Sequence, residues 1–418
     1  MFTKFVKTAY FFLLCCVFLL NSPVSAIAAT HAGTARANLT PPIGTPSAGY
    51  ANRMNEGMQG VNDPLLAIAL VIDNGEKMVA FCSVDHLGFT YEMVQLIIEQ
   101  VHSHQGLEKS DIYVGSSHTH SGGGAYLDLP IIGPLLAGPY DSEITQFYIN
   151  ATVDAIVNAY HNLMPAKIGF GYGETEAISA YRGTWPEALS PLSDVALIKV
   201  TKEDGSPLAA LFNYPLHPTI LDSNNMLFSA DFVGFARNHI KMLIGSDVEA
   251  IYFNGAQGDI VPNLTEGGDR YAYCDATGRA LALTVAGIWN ETVVTDSLGI
   301  ATQREAYAFV PQPTPFGLKL PIACYHSEIN LIVFNEEHAF VTIPGELSCV
   351  YDRSFKDKGK ALQIPHVSVL GLVNDAHGYI ILPESWRHRT SESQLSFGGE
   401  LYGNEVESKV HVLLQERQ

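Results

Sequence analysis

The sequence predicts a mixed α+β and α/β fold, in which mixed β-sheets are flanked by helices. Two observations predict it: apolar runs joined by short turns indicate hairpins, and amphipathic helical segments lie between those hairpins along the chain. The composition agrees, because 47% of the 418 residues are hydrophobic and only 16% are charged. Intrinsic disorder needs the opposite balance and is excluded.

Each predicted hairpin joins two apolar runs across a polar turn. The first turns through Asn74-Gly75, a pair that favours a type I′ turn. The second turns through Glu203-Asp204-Gly205, and the third turns around residues 335–338. The hairpins are predicted at residues 65–84, 195–212 and 329–343.

Helices are predicted where apolar residues recur at a spacing of three and four. In the first, Met93, Leu96, Ile97 and Val101 share one face, and Gly106 follows as a stop signal. The same reasoning predicts helices at residues 91–104, 144–160, 231–243 and 276–289, and strands at residues 112–115, 249–253 and 366–373. Because hairpins and helices interleave, the sheets are expected to be mixed rather than purely parallel.

The first 26 residues have the pattern of a secretory signal peptide. Lys4 and Lys7 precede an apolar run at residues 9–20, and Val24-Ser25-Ala26 supplies small residues for cleavage. An uncleaved anchor is the alternative. We expect residues 27–418 to form a single catalytic domain that is secreted or periplasmic, because the sequence shows no linker, repeat or second apolar run of transmembrane length.

Charge and cysteine content exclude some classes of function. The formal net charge is −19, and removing two lysines with the signal peptide takes it to −21, which argues against binding nucleic acid through its phosphates. Four cysteines remain, none in a CxxC pair: Cys82, Cys274, Cys324 and Cys349. They allow three disulfide pairings, or four buried thiols, and the sequence does not choose.

Candidate chemistry lies where predicted strands end. The run Val114-Gly-Ser-Ser-His-Thr-His-Ser-Gly-Gly-Gly leads from a strand into a glycine-rich loop. In extended chain His118 and His120 would point to one side, which suits a metal ligand beside a second imidazole. His217 follows another apolar run, and Glu346 follows a Pro-Gly turn. Two histidines and a carboxylate form a known catalytic zinc set, although spacing alone does not show that they converge.

A further tight turn follows the strand at residues 249–253. Gly255 and Gly258 would allow positive φ there, and Asp259 and Asn263 would cap backbone groups.

Together these segments resemble the catalytic domain of neutral/alkaline non-lysosomal ceramidases. The resemblance rests on the run from His118, the segment from Asn254, Pro344-Gly-Glu, Asn374-Asp-Ala-His-Gly-Tyr and the opening at residues 32–51. It spans about residues 32–403, nearly all of the predicted mature chain.

The resemblance implies roles that spacing does not supply. It implies that zinc is held by His118, His217, Glu346 and Tyr379. It also implies that His120 hydrogen-bonds the scissile carbonyl or its tetrahedral intermediate. Arg182 would help to hold the oxyanion; the alternative is a surface arginine.

The sequence departs from the family in three places. Val261 stands where the family has a serine, and a valine can neither act as a nucleophile nor donate a hydrogen bond. A distal family tyrosine has no clear counterpart at residues 390–397. The family's C-terminal β-sandwich domain is expected to be absent.

The resulting hypothesis is zinc-dependent hydrolysis of an N-acyl amide, such as a ceramide-like lipid, by a zinc-activated water. A lipid substrate would require transient contact with a membrane surface. The alternatives are a zinc amidase or esterase with a non-sphingolipid substrate, and a binding protein that keeps the fold without catalysis.

Overall fold

The computed structural model describes residues 29–417, except positions 54, 106, 176, 184–188 and 266. The predicted signal peptide lies outside the described residues. The helices are α1 Tyr91–Gln105, α2 Ile132–Ala137, α3 Ser142–His161, α4 Phe232–Ile244, α5 Arg270–Glu291, α6 Cys349–Ala361, α7 Pro383–Arg387 and α8 Tyr402–Glu416. Short 3₁₀ helices span Ala51–Arg53, Lys109–Asp111 and Ser391–Leu395.

The strands in the first half of the chain are β1 His31–Asn38, β2 Gly60–Val61, β3 Leu66–Asp73, β4 Met78–Val84, β5 Ile112–Ser116, β6 Met164–Glu174, β7 Ser179–Tyr181, β8 Asp194–Lys202 and β9 Pro207–Tyr214. Those in the second half are β10 Leu227–Phe228, β11 Glu249–Asn254, β12 Ile260–Pro262, β13 Ile300–Phe309, β14 Tyr325–Phe334, β15 His338–Ile343, β16 Glu346–Leu347, β17 His366–Gly371 and β18 Tyr379–Ile380.

Two mixed sheets organise the structure, which confirms the predicted fold class. The larger has eight strands in the order β11-β9-β8-β6-β1-β3-β4-β5, and the smaller has four in the order β13-β14-β15-β17. Most neighbours are antiparallel, but β11–β9, β4–β5 and β15–β17 are parallel. Two-stranded pairs β10–β2, β12–β7 and β16–β18 complete the sheets of the described chain.

The core follows from the alternation of apolar side chains along the strands. Alternate residues of β3, such as Ile68 and Leu70, face a central core shared with Phe334 and Phe340 of the smaller sheet. The intervening residues of β3 face helices α1 and α3. Helices α4 and α5 cover the other part of the larger sheet, and α6 and α8 cover the smaller sheet. The helices therefore flank the sheets, as predicted.

All three predicted hairpins are present, but the first has a different turn. Asp73 pairs with Met78, so four residues connect the strands instead of two. Only Gly75 of the predicted pair has positive φ, at 84°. The side chain of Asn74 accepts hydrogen bonds from the backbone N–H groups of Glu76 and Lys77. The type I′ assignment was wrong because this amide stabilises a wider loop.

The four predicted helices are also present, and the last begins earlier than predicted. Helix α5 starts at Arg270 because the side chain of Asp269 accepts a hydrogen bond from the N–H of Tyr271 at 2.9 Å. Asp269 is thus the N-cap residue, and the prediction, which used only the spacing of apolar residues, did not include this cap. The strands β1, β6 and β13 and the helices α6 and α8 were not predicted. Strand β13 is half exposed and its residues pair mainly with β14, so tertiary pairing, not local pattern, defines it.

Two buried asparagines join strand ends around the candidate site. Asn254, at the end of β11, donates to the carbonyls of Ser117 and Leu216 at 3.0 Å, and its side-chain oxygen accepts from the N–H of Leu216. Asn213, in β9, donates to carbonyls of β11 and to that of Val369 in β17. The ends of β5, β9, β11 and β17 consequently meet, although they belong to two sheets.

The four cysteines of the described chain form no disulfide bonds with one another. Cys82, Cys274 and Cys349 are buried free thiols, and Cys324 is an exposed one. Of the helices that the structure describes, none is long and apolar enough to cross a membrane.

We expect Asn254→Ala to lower the free energy of unfolding by about 2–4 kcal/mol, because it leaves buried N–H and C=O groups on two segments without partners. Urea unfolding followed by circular dichroism measures this. The matched control is Asn158→Ala on the exposed face of α3, which should change stability by less than about 0.5 kcal/mol. Equal free energies of unfolding for the two variants would show that the hydrogen bonds of Asn254 do not stabilise the contact between these segments.

Candidate metal centre and active site

His118 lies two residues beyond the end of β5 and is almost fully buried. Its φ is +73°, so this part of the chain is not extended, and the two-residue alternation expected from the sequence does not apply. The loop nevertheless brings the rings of His118 and His120 to 5.0 Å between centroids. The Nδ1 atom of His118 lies 2.6 Å from the carbonyl oxygen of Leu87, which fixes the ring.

His217 follows β9 and is buried, with 1% of its surface exposed. Its Nδ1 atom lies 3.0 Å from the carbonyl oxygen of Ile260. Burial lowers the pKa of His217 to about 4, and the nearby charge of Arg182 adds to the effect. The imidazole is therefore neutral at pH 7.

Glu346 begins β16, three residues beyond the end of β15, and its carboxylate joins the two imidazoles. The Oε2 atom lies 3.2 Å from Nε2 of His118 and 2.9 Å from Nε2 of His217. Burial acts to raise the pKa of Glu346, but the imidazoles of His118 and then His217 outweigh it, and the pKa is held well below its usual value.

The turn after β11 supports Glu346 by close backbone contact. A Cβ atom on Gly258 would lie 2.6 Å from the carbonyl oxygen of Glu346, so only glycine fits there. Neither Gly255 nor Gly258 has positive φ, and the prediction on that point was wrong. Asp259 caps backbone as predicted, because its carboxylate accepts from the N–H of Cys349 at 2.9 Å and from the hydroxyl of Ser348.

Tyr379 lies beside Glu346 because the two residues are register partners in the β16–β18 pair. Its hydroxyl lies 3.4 Å from Nε2 of His217 and accepts a hydrogen bond from Nη2 of Arg182 at 3.0 Å. Burial raises the pKa of the Tyr379 phenol, and Glu346 raises it further. The four side chains that the resemblance assigns to a metal are thus brought together.

Arg182 is held by protein groups on several sides. Besides Tyr379, it donates to the carbonyl of Gly258 at 2.9 Å and forms an ion pair with the buried carboxylate of Glu392 at 3.0 Å. The Arg182 side chain is 29% exposed, so it is partly buried and bound to protein groups. The contact of Arg182 nearest the centre is with the Tyr379 hydroxyl.

His120 is packed against the chain but its ring lacks hydrogen bonds. Both ring nitrogens are buried and have no hydrogen-bond partner among the described residues. A Cβ atom on Gly49 would lie 2.5 Å from Nδ1, so this edge of the ring packs on Gly49 and Nε2 lies on the opposite edge. Burial lowers the pKa of His120 well below its usual value, with His118 and His217 adding to the effect.

The positions of the ring protons determine what can lie between the two imidazoles and Glu346. A backbone carbonyl only accepts hydrogen bonds, so Nδ1 of His118 and of His217 must carry the ring proton. Each Nε2 then faces the Glu346 carboxylate. Lone pairs and an anion repel one another unless a cation or a proton lies between them.

The donor set fits zinc in type and spacing. Nitrogen and oxygen ligands bind zinc at about 2.0–2.1 Å, which places tetrahedral neighbours about 3.3 Å apart. The donor separations of 2.9, 3.2 and 3.4 Å are close to this value. A second combination exists, because nitrogens of His118, His120 and His217 lie within 4.8 Å of one another, but that spacing is looser.

A largely apolar cavity of about 740 Å³ leads to these side chains. Its polar base includes His118, His120, Glu346 and Tyr379. The apolar walls come from several segments and include Met93, Leu96, Leu127, Leu129, Ile132, Leu136, Leu320, Ile322, Leu395 and Phe397. The volume is within the usual range for a small-molecule site.

The cavity walls are the feature that sequence reasoning missed. The region without the family's distal tyrosine supplies Leu395 and Phe397 to the wall and Glu392 to Arg182. Val261 pairs with Ala180 in the β12–β7 ribbon and is not part of the described cavity lining. An apolar stretch at residues 129–140, readable in the sequence, was the available signal for the wall.

Comparisons with known proteins agree with one another. "Neutral ceramidase B" of Dictyostelium discoideum is 24% identical over 203 residues, which is 45% of this chain and 28% of that protein. "Neutral ceramidase" of Drosophila melanogaster is 24% identical over 268 residues, which is 57% of this chain and 37% of that protein. The chain therefore matches well under half the length of these relatives.

The fold is also found in a solved structure. The crystal structure of neutral ceramidase from Pseudomonas aeruginosa superposes with a TM-score of 0.82 at 16% identity, covering 93% of this chain and 75% of that one. The family described as "Neutral/alkaline non-lysosomal ceramidase, N-terminal" matches residues 31–287, more than half of the chain. The chain therefore belongs to the neutral/alkaline non-lysosomal ceramidase family.

Proposed function

We propose that this chain is a zinc-dependent hydrolase that cleaves an N-acyl amide, with ceramide-like lipids as the substrate class. The observation that carries the proposal is the convergence of two imidazole Nε2 atoms on one buried carboxylate at the base of an apolar cavity. The names of the relatives support amide hydrolysis. The signal-peptide pattern at residues 1–26 supports export.

The proposed zinc ligands are His118, His217, Glu346 and Tyr379. The two imidazoles and the carboxylate have the closest donor atoms, and they supply the two-histidine, one-carboxylate set typical of catalytic zinc. The carbonyls of Leu87 and Ile260 hold the Nδ1–H groups and so orient the Nε2 atoms. In this proposal Arg182 positions Tyr379, because its Nη2 donates both to the Tyr379 hydroxyl and to the carbonyl of Gly258.

Hydrolysis adds water across the amide: the C–N bond breaks, a hydroxyl joins the acyl carbon and a proton goes to the departing amine. When bound, zinc supplies a Lewis acid that polarises the acyl carbonyl and makes water more acidic. His120 then has the role of hydrogen-bonding the acyl oxygen through Nε2, since this nitrogen is buried and without a partner.

The cavity supports a substrate with a long apolar part. Most of its lining is aliphatic or aromatic, and His118, His120 and Glu346 are among the few polar side chains. A lipid acyl chain would bury its methylenes against these walls while its carbonyl reaches His118 and His120.

We expect Glu346→Gln and His118→Ala each to lower zinc affinity by at least about tenfold, because each removes a ligand from the tightest donor set. His120→Ala should keep its zinc. Elemental analysis of dialysed protein measures this, with thermal melting to verify folding. Loss of zinc in His120→Ala together with retention in Glu346→Gln would identify the three imidazoles as the ligands instead.

We expect His120→Ala to lower kcat by about 10²–10³-fold while KM changes little, because the variant loses a donor that acts mainly on the developing oxyanion. Steady-state kinetics on an N-acyl amide measure both constants. His104→Ala, on the exposed end of α1, is the matched control and should behave as the unmodified protein. An unchanged kcat in His120→Ala would refute the role.

We expect kcat/KM to rise about fourfold for each methylene added to the acyl chain, until the cavity is filled, because each buried methylene contributes about 0.8 kcal/mol. Ala376→Leu, which adds bulk to the cavity wall, should lower kcat/KM for long chains and spare N-acetyl substrates. Ala376→Ser is the matched control. Equal rates for N-acetyl and long-chain amides in the unmodified protein would show that the cavity does not bind the acyl chain.

A further inference from the structure

We propose that residues 129–140, at the mouth of the cavity, dock onto a zwitterionic lipid surface. The inference rests on the proposed function, since a lipid substrate gives the docking its purpose. The stretch reads Leu-Pro-Ile-Ile-Gly-Pro-Leu-Leu-Ala-Gly-Pro-Tyr and contains no charged residue. Twelve consecutive residues without a charge are unusual for a segment that lies on the surface.

The segment exposes large apolar side chains to water. Ile131 is 79% exposed, Leu135 is 50% exposed and Tyr140 is 44% exposed. Leu96 of α1, which lines the same cavity, is 52% exposed. Contiguous exposed apolar groups of this kind mark an interaction surface, whereas isolated ones need no explanation.

Ile131 is held in a conformation that its side chain disfavours. Its φ is +71°, and the carbonyl of Pro130 accepts a hydrogen bond from the N–H of Ile132 at 2.8 Å, so Ile131 is the centre of a γ-turn. Positive φ is strained for a β-branched residue, and glycine or asparagine would fit better. Neither folding nor solubility therefore explains why an isoleucine projects into water here.

The exposed face continues directly into the cavity. Helix α2 turns Ile132 and Leu136 toward the cavity, while Ile131 and Leu135 lie one residue earlier on the outer face. A lipid that leaves a bilayer at this surface would reach His118 along apolar walls, without its acyl chain crossing water. A second protein chain seated on the same face would instead block this entrance.

The acidic side chains of the cavity lining favour one kind of lipid headgroup over another. The charged side chains of the described cavity lining are Glu92, Asp128 and Glu346, all acidic, and the lining contains no lysine or arginine. The net charge of the whole chain is −19. Anionic headgroups would be repelled, whereas phosphatidylcholine would meet no such barrier.

The test is binding of the full-length mature protein to phosphatidylcholine vesicles, measured by flotation. We expect the double variant Ile131→Asn, Leu135→Asn to lower the partition coefficient by about tenfold or more, because it removes two side chains that insert into the interface. Ile131→Asn alone should weaken vesicle binding without lowering the melting temperature, since asparagine tolerates positive φ. If Ile131 had only a structural role, the substitution would lower vesicle binding and the melting temperature together.

Matched controls separate docking from catalysis. Val293→Asn changes an apolar residue that is 86% exposed and outside the cavity lining, and it should bind vesicles as the unmodified protein does. His118→Ala should also bind normally, and the double variant should still hydrolyse a soluble short-chain amide. Vesicle binding therefore succeeds or fails independently of hydrolysis.

Three outcomes would overturn the proposal. One is no binding of the unmodified protein to phosphatidylcholine vesicles, and the second is undiminished binding by the double variant. The third is a dimer in analytical ultracentrifugation that the double variant abolishes, which would identify a second copy of the chain as the occupant of this face. Binding to anionic vesicles alone would contradict the charge argument.

Discussion

The carboxylate of Glu346 is the group on which the rest of the site depends. Burying an ionised carboxylate costs several kcal/mol unless it is paired and hydrogen-bonded. Here its partners are the imidazoles of His118 and His217, at 3.2 and 2.9 Å. Because the Nδ1 protons of those rings are committed to backbone carbonyls, the pairing is complete only when a cation or a further proton lies between each Nε2 and the carboxylate. The sequence therefore has to bring three strand ends to one point and leave room there for positive charge.

That convergence is achieved by buried amides and close backbone contacts. The ends of β5, β9, β11 and β17 belong to different sheets, so no single ladder sets their spacing. Asn254 and Asn213 set it with side-chain hydrogen bonds to backbone groups on neighbouring segments. Gly258 lets the turn after β11 touch Glu346. Buried polar groups with all partners supplied specify one arrangement, because any slip leaves several of them unpaired.

The sequence predicted three hairpins and four helices because such elements are encoded in short windows, but it did not predict strands β1, β6 and β13 or helices α6 and α8. It also indicated that His118, His217 and Glu346 follow strand ends, since an apolar run stops just before each. It could not show that these ends meet, because the contacts that join them come from residues far apart in the chain, such as Asn254 and Ser117. Tyr379 emerged only through family resemblance, since a buried phenol has no spacing signature.

The same limits explain why Arg182 and the cavity could not be predicted from the residues alone. Arg182 donates to the Tyr379 hydroxyl while its Nε atom lies 3.0 Å from the Glu392 carboxylate, and these three residues come from three distant segments. Glu392 lies in the 3₁₀ helix Ser391–Leu395, and Leu395 at the end of that helix is part of the cavity wall. One short element thus touches both the apolar wall and the polar centre. In the proposed function, an acyl chain packed against Leu395 would contact the same short helix whose Glu392 pairs with Arg182.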